Sequence, residues 1–192
     1  MALRFARAGA HVRIGSRTLE RAQAAAKLIS GQAGAGKVEG FENVEAVREA
    51  GVVVLTVPAE AQIDTLKALA SSFRPGAILV DATVRLQSDL NSALIAAEHV
   101  PEGVKVASAF HTLSAGLVGN LEESIDSDVL ICSDDPQAKA AAAALVQMLP
   151  GARPVDAGGL KRSRLIENTV QLLIALNRAH KVKHCGIRIT GL

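Results

Sequence analysis

Aromatic residues are nearly absent from this sequence. Its 192 residues include four phenylalanines (Phe5, Phe41, Phe73 and Phe110), no tryptophan and no tyrosine. A stacking platform for single-stranded nucleic acid is thereby excluded. No excess of positive charge replaces it, because the formal net charge is only +2. Cysteine is scarce too: Cys132 and Cys185 lie far apart with no CxxC. That gives neither zinc spacing nor a disulfide framework, and it fits a reducing compartment. No apolar run reaches the ~18 residues of a membrane span. The N-terminal segment carries Arg4 and Arg7 and lacks the long apolar stretch of a signal peptide. The expectation is a cytoplasmic protein with no nucleic-acid and no membrane partner.

What is present is aliphatic. Hydrophobic residues make up 49% of the chain and charged residues 21%, enough for one sizeable core of Ala, Val, Leu and Ile. Periodicity alternates between helix and strand. It predicts a helix ending over 2–8 and closed by Gly9, a strand over 11–15, a helix over 18–30 and a strand over 38–41. A short helix over 43–50 follows, with Asn43 as its N-cap. The run GVVVLTV (51–57) reads as a parallel strand buried on both faces. Beyond it come a helix over 59–73, a strand over 77–81, a helix over 90–99 and strands over 104–110 and 129–132. Asp134-Asp135-Pro136 opens a helix that runs to Leu149, with an Asp cap region and Pro in its first turn. A strand over 154–157 and a long helix over 160–181 complete the order. No linker divides the chain, so residues 1–192 read as a single domain that includes this last helix. Alternating strands and helices imply an α/β fold, a three-layer sandwich around a mostly parallel sheet. Ligands of such folds bind at the carboxyl ends of the strands.

Those ends carry the candidate chemistry. Ser16 and Arg17 follow the first strand, with Arg21 four positions on. In a dinucleotide fold this place meets the adenosine ribose, where a hydroxyl and guanidinium groups accommodate the extra phosphate of NADP. The plain alternative is a serine cap and two solvated arginines. Thr56-Val57-Pro58 ends the run at 51–57, and its proline stops the strand at the ligand edge. Asp81 ends the next strand. His111 and Thr112 follow another, without the neighbours a hydrolytic triad needs. Gly31 to Val38 satisfies GxxxxGK, but Val38 stands where magnesium chemistry needs Ser or Thr. The segment also follows a helix and precedes a strand, so it reads as a connection and not as a P-loop. Gly158 and Gly159 allow a tight turn and close approach to another backbone. Lys161, Arg162 and Arg164 crowd a helix start where the dipole disfavours cations. That suggests an anion or an ion pair of Arg164 with Glu167.

Read together, GSR (15–17), LTVP (55–58), SAFHTL (108–113), DAGGLKRSRLIE (156–167) and NRAHKVKHCGIRI (177–189) resemble the NADPH-dependent reductases of the deazaflavin coenzyme F420. The resemblance covers essentially the whole chain. It implies a Rossmann-like NAD(P)-binding fold and direct hydride transfer between NADP(H) and coenzyme F420. No catalytic side chain and no metal are implied; the protein orients two cofactors in a water-poor cleft. By position, Ser16, Arg17 and Arg21 match the 2′-phosphate site, and Thr56, Val57 and Pro58 the nicotinamide side. His111, Thr112 and Leu113 match the segment near the deazaflavin. A homodimer is implied as well. Ser114 stands where the family often has proline, and Thr83-Val84-Arg85-Leu86 replaces a proline-containing turn. The family opens with a strand and a GxGxxG-type turn, whereas Met1 to Gly9 corresponds to the later part of the helix after that turn. The first strand is thus expected to be missing between the strands at 11–15 and 51–57. Either the chain is N-terminally shortened or those two strands pair directly. A flavin or metal reductase using the same NADP half, and a non-catalytic Rossmann-like scaffold, are the competing readings.

Overall fold

The computed structural model describes residues 1–34 and 36–192, so the connection read at 31–38 lies partly outside the described residues at position 35. Helix α1 (Ala2–Arg7) leads to strand β1 (Val12–Ser16), helix α2 (Leu19–Ser30), strand β2 (Val38–Glu42) and helix α3 (Asn43–Arg48). Strand β3 (Val52–Leu55), helix α4 (Gln62–Leu69), strand β4 (Ile78–Asp81), helix α5 (Ser92–His99) and strand β5 (Lys105–Ser108) follow. Helix α6 (Ala115–Gly119), strand β6 (Ser127–Cys132), helix α7 (Pro136–Gln147), strand β7 (Ala152–Gly158) and helix α8 (Ser163–His180) complete the chain. Short 3-10 turns flank α4 at Ala59–Ala61 and Ala70–Ser72 and precede α8 at Leu160–Arg162.

The strands form two sheets. One holds β1 and β2; the other runs β3-β4-β5-β6-β7. Every pairing is parallel except the single antiparallel pair Ser108 with Cys132 between β5 and β6. Direct pairing of the strands at 11–15 and 51–57 is therefore corrected: β1 pairs only with β2, and β3 only with β4. The reading of 51–57 as buried on both faces is corrected for the same reason. As an edge strand, β3 leaves Val52 37% exposed and Val53 and Val54 half-buried, and buries only Leu55.

Period-two alternation splits the larger sheet between two cores. Val80 and Ala107 face Ala138, Ala142 and Val146 of α7, joined by Phe5 of α1. Leu79 and Val106 face Leu66 of α4 and Ala93 and Ala96 of α5. The fully buried alanines let helices lie close to the sheet without large side chains between them. Phe5 meets Phe110 edge-on at 6.2 Å, so two of the four phenylalanines anchor one core.

Several ends follow the sequence signals. Asp135 caps α7, its Oδ1 accepting from Gln137 N at 2.8 Å and Ala138 N at 2.9 Å, with Pro136 in the first turn. Asn91 caps α5 through Leu94 N at 3.0 Å. Asn43 does not cap α3: β2 continues through Glu42, which takes the cap position without a side-chain bond. Asn43 opens the helix instead, and its Oδ1 would lie 2.8 Å from any Cβ added at Gly15. Gly15 is thus the residue that lets α3 sit on β1.

Arg4 has a role the sequence did not signal. It is 4% exposed, and its guanidinium donates to Val118 O (2.9 Å), Leu117 O (3.1 Å), Glu123 O (2.8 Å) and Asn120 O. A cation at the carbonyl end of α6 satisfies orphan groups and the helix dipole together. The C-terminal residues fold back over β6. Fully buried Asp128 accepts a fork from Arg153 (2.8 and 2.7 Å), one bond from Arg188 (3.1 Å) and one from Ile189 N (2.7 Å). These partners hold its carboxyl well below the usual range, the Arg153 fork first among them.

Candidate cofactor-binding site

The carboxyl ends of β1, β3, β4 and β5 bring Ser16, Thr56, Asp81 and Ser108 toward one rim of the fold. Ser16 is half-buried, and Arg17 and Arg21 are exposed. Arg17 precedes helix α2 and Arg21 lies in its first turn. Thr18, extended at φ −131 and ψ 141, occupies the cap position between them, and α2 begins at Leu19. Thr18 makes no side-chain cap bond. The first amides of this helix therefore stand beside Ser16 and Arg17 without a side-chain acceptor, an arrangement suited to a phosphate.

Thr56 and Pro58 are exposed, while Val57 packs against the second core. Pro58 O accepts from Ala61 N at 3.0 Å, so the proline starts a 3-10 turn directly after the strand. Its fixed φ of −57 suits that position.

Beneath the rim lies a buried polar network that sequence reading missed in all but outline. Asp81 is 0% exposed and accepts from Gln62 Nε2 at 3.1 Å and Thr83 N at 3.2 Å. Burial pushes its carboxyl up to about 6, with those bonds opposing and the charge of Glu167 assisting. Gln62 also donates to Ser92 O at 3.0 Å and accepts from Arg85 Nη2 at 2.9 Å. Glu167 of α8 is fully buried and accepts from Ser92 N (3.0 Å), Ser92 Oγ (2.9 Å) and Arg85 N (2.9 Å). The expected Arg164–Glu167 ion pair is not formed. Glu167 serves the start of α5, where a carboxylate meets free amides, and Arg164 donates to Arg85 O at 3.3 Å. Its outward signs in the sequence were Asp81 at a strand end and Glu167 three residues after Arg164.

His111 and Thr112 are buried, at 6% and 5% exposure, and Leu113 packs at the edge of the first core. Phe110 stands at φ +71, a bend that turns His111 inward. Neither ring nitrogen of His111 has a hydrogen-bond partner, and the buried hydroxyls of Thr83, Ser108 and Ser163 share that condition. Burial holds the imidazole down to about 4, with a smaller opposing pull from the Thr83 main chain. His111 is therefore neutral at pH 7, with one donor and one acceptor available. Orphaned buried groups beneath a ligand edge fit the polar rim of a heterocycle better than they fit a closed core.

Ser114 explains one departure noted above. Its hydroxyl lies 2.9 Å from His184 Nδ1, and that ring covers Gly116, where an added Cβ would stand 2.6 Å from Cε1. Gly158 takes φ +101, as the tight turn requires. Gly159, however, approaches a carboxylate and not a backbone: an added Cβ would stand 2.4 Å from Asp134 Oδ1, which accepts from Leu160 N at 3.2 Å. No group of side chains among the described residues has a metal-ligand arrangement, and no described helix is long and apolar enough to cross a membrane.

Comparison with known proteins identifies the family. Residues 1–85 match the family model described as NADP oxidoreductase, coenzyme F420-dependent. The F420-dependent NADP reductase of Methanothermobacter thermautotrophicus is 39% identical, with 100% of this chain and 89% of that protein covered. That of Methanothermobacter marburgensis is 38% identical, covering 100% and 92%. The crystal structure of a protein from Arthrobacter sp. FB24, described as a candidate F420-dependent NADP reductase, superposes with a TM-score of 0.82 at 23% identity, covering 99% of this chain and 93% of that one. The Rossmann-like fold is shared with that structure, and by its sequence the chain belongs to the family of F420-dependent NADP reductases.

Proposed function

We propose that the protein transfers a hydride between NADP(H) and coenzyme F420. The observation that carries the reading is the end of β1, where Ser16, Arg17 and Arg21 surround the uncapped start of α2 in a chain of this family. When bound, the two cofactors would supply the chemistry, a hydride donor in NADPH and a deazaflavin acceptor that completes its reduction with one proton from solvent. The residues of the chain bind and orient. Ser16, Arg17 and Arg21 hold the 2′-phosphate, the guanidinium groups by charge and the hydroxyl by a hydrogen bond. Thr56, Val57 and Pro58 line the nicotinamide side. His111, Thr112 and Leu113 back the deazaflavin, with neutral His111 and Thr83 offering polar atoms to its edge.

Residues 1–192 act as one domain in this reading. Two copies associate through α8, where Leu165 and Leu172 are 67% and 57% exposed on one helical face. The cytoplasm, where NADPH is kept reduced, is the working compartment. The cofactor site is tested by measuring NADPH and NADH binding to Arg17→Ala and Arg21→Ala. Each change weakens NADPH about tenfold, one charge-assisted contact, and leaves NADH unchanged. Equal loss for both cofactors would remove the phosphate site from these residues.

A further inference from the structure

The connection after β4 runs over 82–91 without regular structure. It leaves the carboxyl rim beside the turn that follows β3. The ladder between these two strands ends where Ala82 N donates to Leu55 O at 3.0 Å. Beyond that bond, side chains hold the two exits together. One tie is Gln62, whose Nε2 donates to Asp81 Oδ2 at 3.1 Å. The other is Arg85.

Arg85 is half-buried, and its Nη2 donates to Ala59 O at 2.8 Å and to Gln62 Oε1 at 2.9 Å. Its Nε is shielded from solvent without a partner, so these bonds form where little water competes. They span 26 and 23 positions of chain. They therefore position separate segments and do not cap a local turn. Ala59 directly follows Pro58 and opens the 3-10 turn whose Ala61 N donates to Pro58 O. The main chain of the same arginine bonds elsewhere. Its N–H donates to Glu167 Oε2 at 2.9 Å, and its carbonyl accepts from Arg164 Nη1 at 3.3 Å. Both partners lie on α8. Glu167 accepts in turn from Ser92, the first residue of α5. One residue thus ties the turn after β3 to two helices.

We infer that Arg85 is a positioning residue for hydride transfer: its guanidinium fixes the turn at 58–62, and with it the face offered to the nicotinamide, against a base anchored on α8. The inference rests on the assignment of Thr56, Val57 and Pro58 to the nicotinamide side. The residues assigned to the 2′-phosphate lie at and after the end of β1, in the other sheet. Arg85 therefore sets where the ring lies more than how tightly NADPH is held. A misplacement of about 1 Å between reacting groups costs up to ~100-fold in rate.

The test compares the full chain with Arg85→Ala and Arg85→Lys. Arg85→Ala keeps both main-chain bonds to α8 and removes only the bonds to the turn. Hydrogen exchange at Ala61 is followed with and without NADPH, and hydride transfer to coenzyme F420 in a single turnover. In the native chain NADPH is expected to slow exchange at Ala61. In Arg85→Ala that protection falls about fivefold, and the transfer rate constant falls about tenfold or more. The dissociation constant of NADPH changes less than about twofold. Arg85→Lys, with a shorter stem and no planar fork, is expected to transfer about threefold more slowly than the native chain. A merely structural role would lower the amplitude of the turnover and leave its rate constant unchanged. Native protection at Ala61 with an unchanged rate constant in Arg85→Ala overturns the inference and leaves the nicotinamide assignment standing. No effect of NADPH on Ala61 in the native chain overturns that assignment, and the inference with it. Should Arg85→Ala not fold, Arg85→Lys decides, and transfer at the native rate overturns the inference.

Discussion

At the residue scale, two buried titratable groups act in opposite directions. Burial raises Asp81 to about 6, so the folded state favours its protonated form and its contribution to stability falls as pH rises from about 4 to about 6. Burial lowers His111 to about 4, so the fold favours neutral imidazole and its contribution falls as pH drops from about 6.5 to about 4. The windows overlap, and the two effects largely cancel in the native protein. Asp81→Asn removes one of them. The variant is expected to lose roughly 2 kcal/mol more than the native protein between pH 7 and pH 4.5, read from urea unfolding at both values. Equal slopes would contradict the account. Arg4 gives a second test at this scale. Arg4→Met leaves three carbonyls at the end of α6, and that of Glu123 beyond it, without their cation. A loss of about 3 kcal/mol is expected in thermal or urea unfolding, and a loss below ~0.5 kcal/mol would show that solvent replaces the guanidinium.

At the scale of elements, helices and strands were legible where local chemistry decides them. The Asp135-Pro136 start of α7 and the glycines around β7 signal their own geometry through capping and through φ. Elements whose character depends on neighbours were not legible. β3 reads as a buried strand because four of its residues are aliphatic, yet its exposure follows from the lack of a partner at β1. Periodicity cannot report pairing across a gap. Glu167 shows the same limit within the site: sequence offers Arg164 three positions away, while the fold offers Ser92 and Arg85 from distant segments. Ser16, Arg17, Thr56 and His111 could be singled out as candidates because they sit at strand ends, which topology fixes. Gln62, Arg85 and Ser92 escaped because they bond through tertiary contacts alone. The prediction proper to this scale concerns α8. Leu165→Glu with Leu172→Glu places charges on its exposed face and is expected to give a monomer in sedimentation with an unchanged unfolding midpoint. Unchanged association would place the interface elsewhere.

At the scale of the molecule, the layered fold brings strand ends from two sheets to one rim. The smaller sheet carries Ser16, with Arg17 and Arg21 directly after it, and the larger one carries the Asp81 and His111 region. An aliphatic interior with four phenylalanines and no Trp or Tyr offers little aromatic stacking of its own. In the proposed function, the flat surfaces that stack are the two cofactors, held by Thr56, Val57, Pro58 and Leu113. On that reading the chain's part is to bind and orient the two cofactors. The direct test is to mix the protein anaerobically with coenzyme F420 and NADPH deuterated at the transferring position of its nicotinamide. The account predicts loss of deazaflavin absorbance in step with NADPH oxidation, and one deuterium in each reduced coenzyme. Unchanged absorbance, or reduced coenzyme free of deuterium, would contradict it.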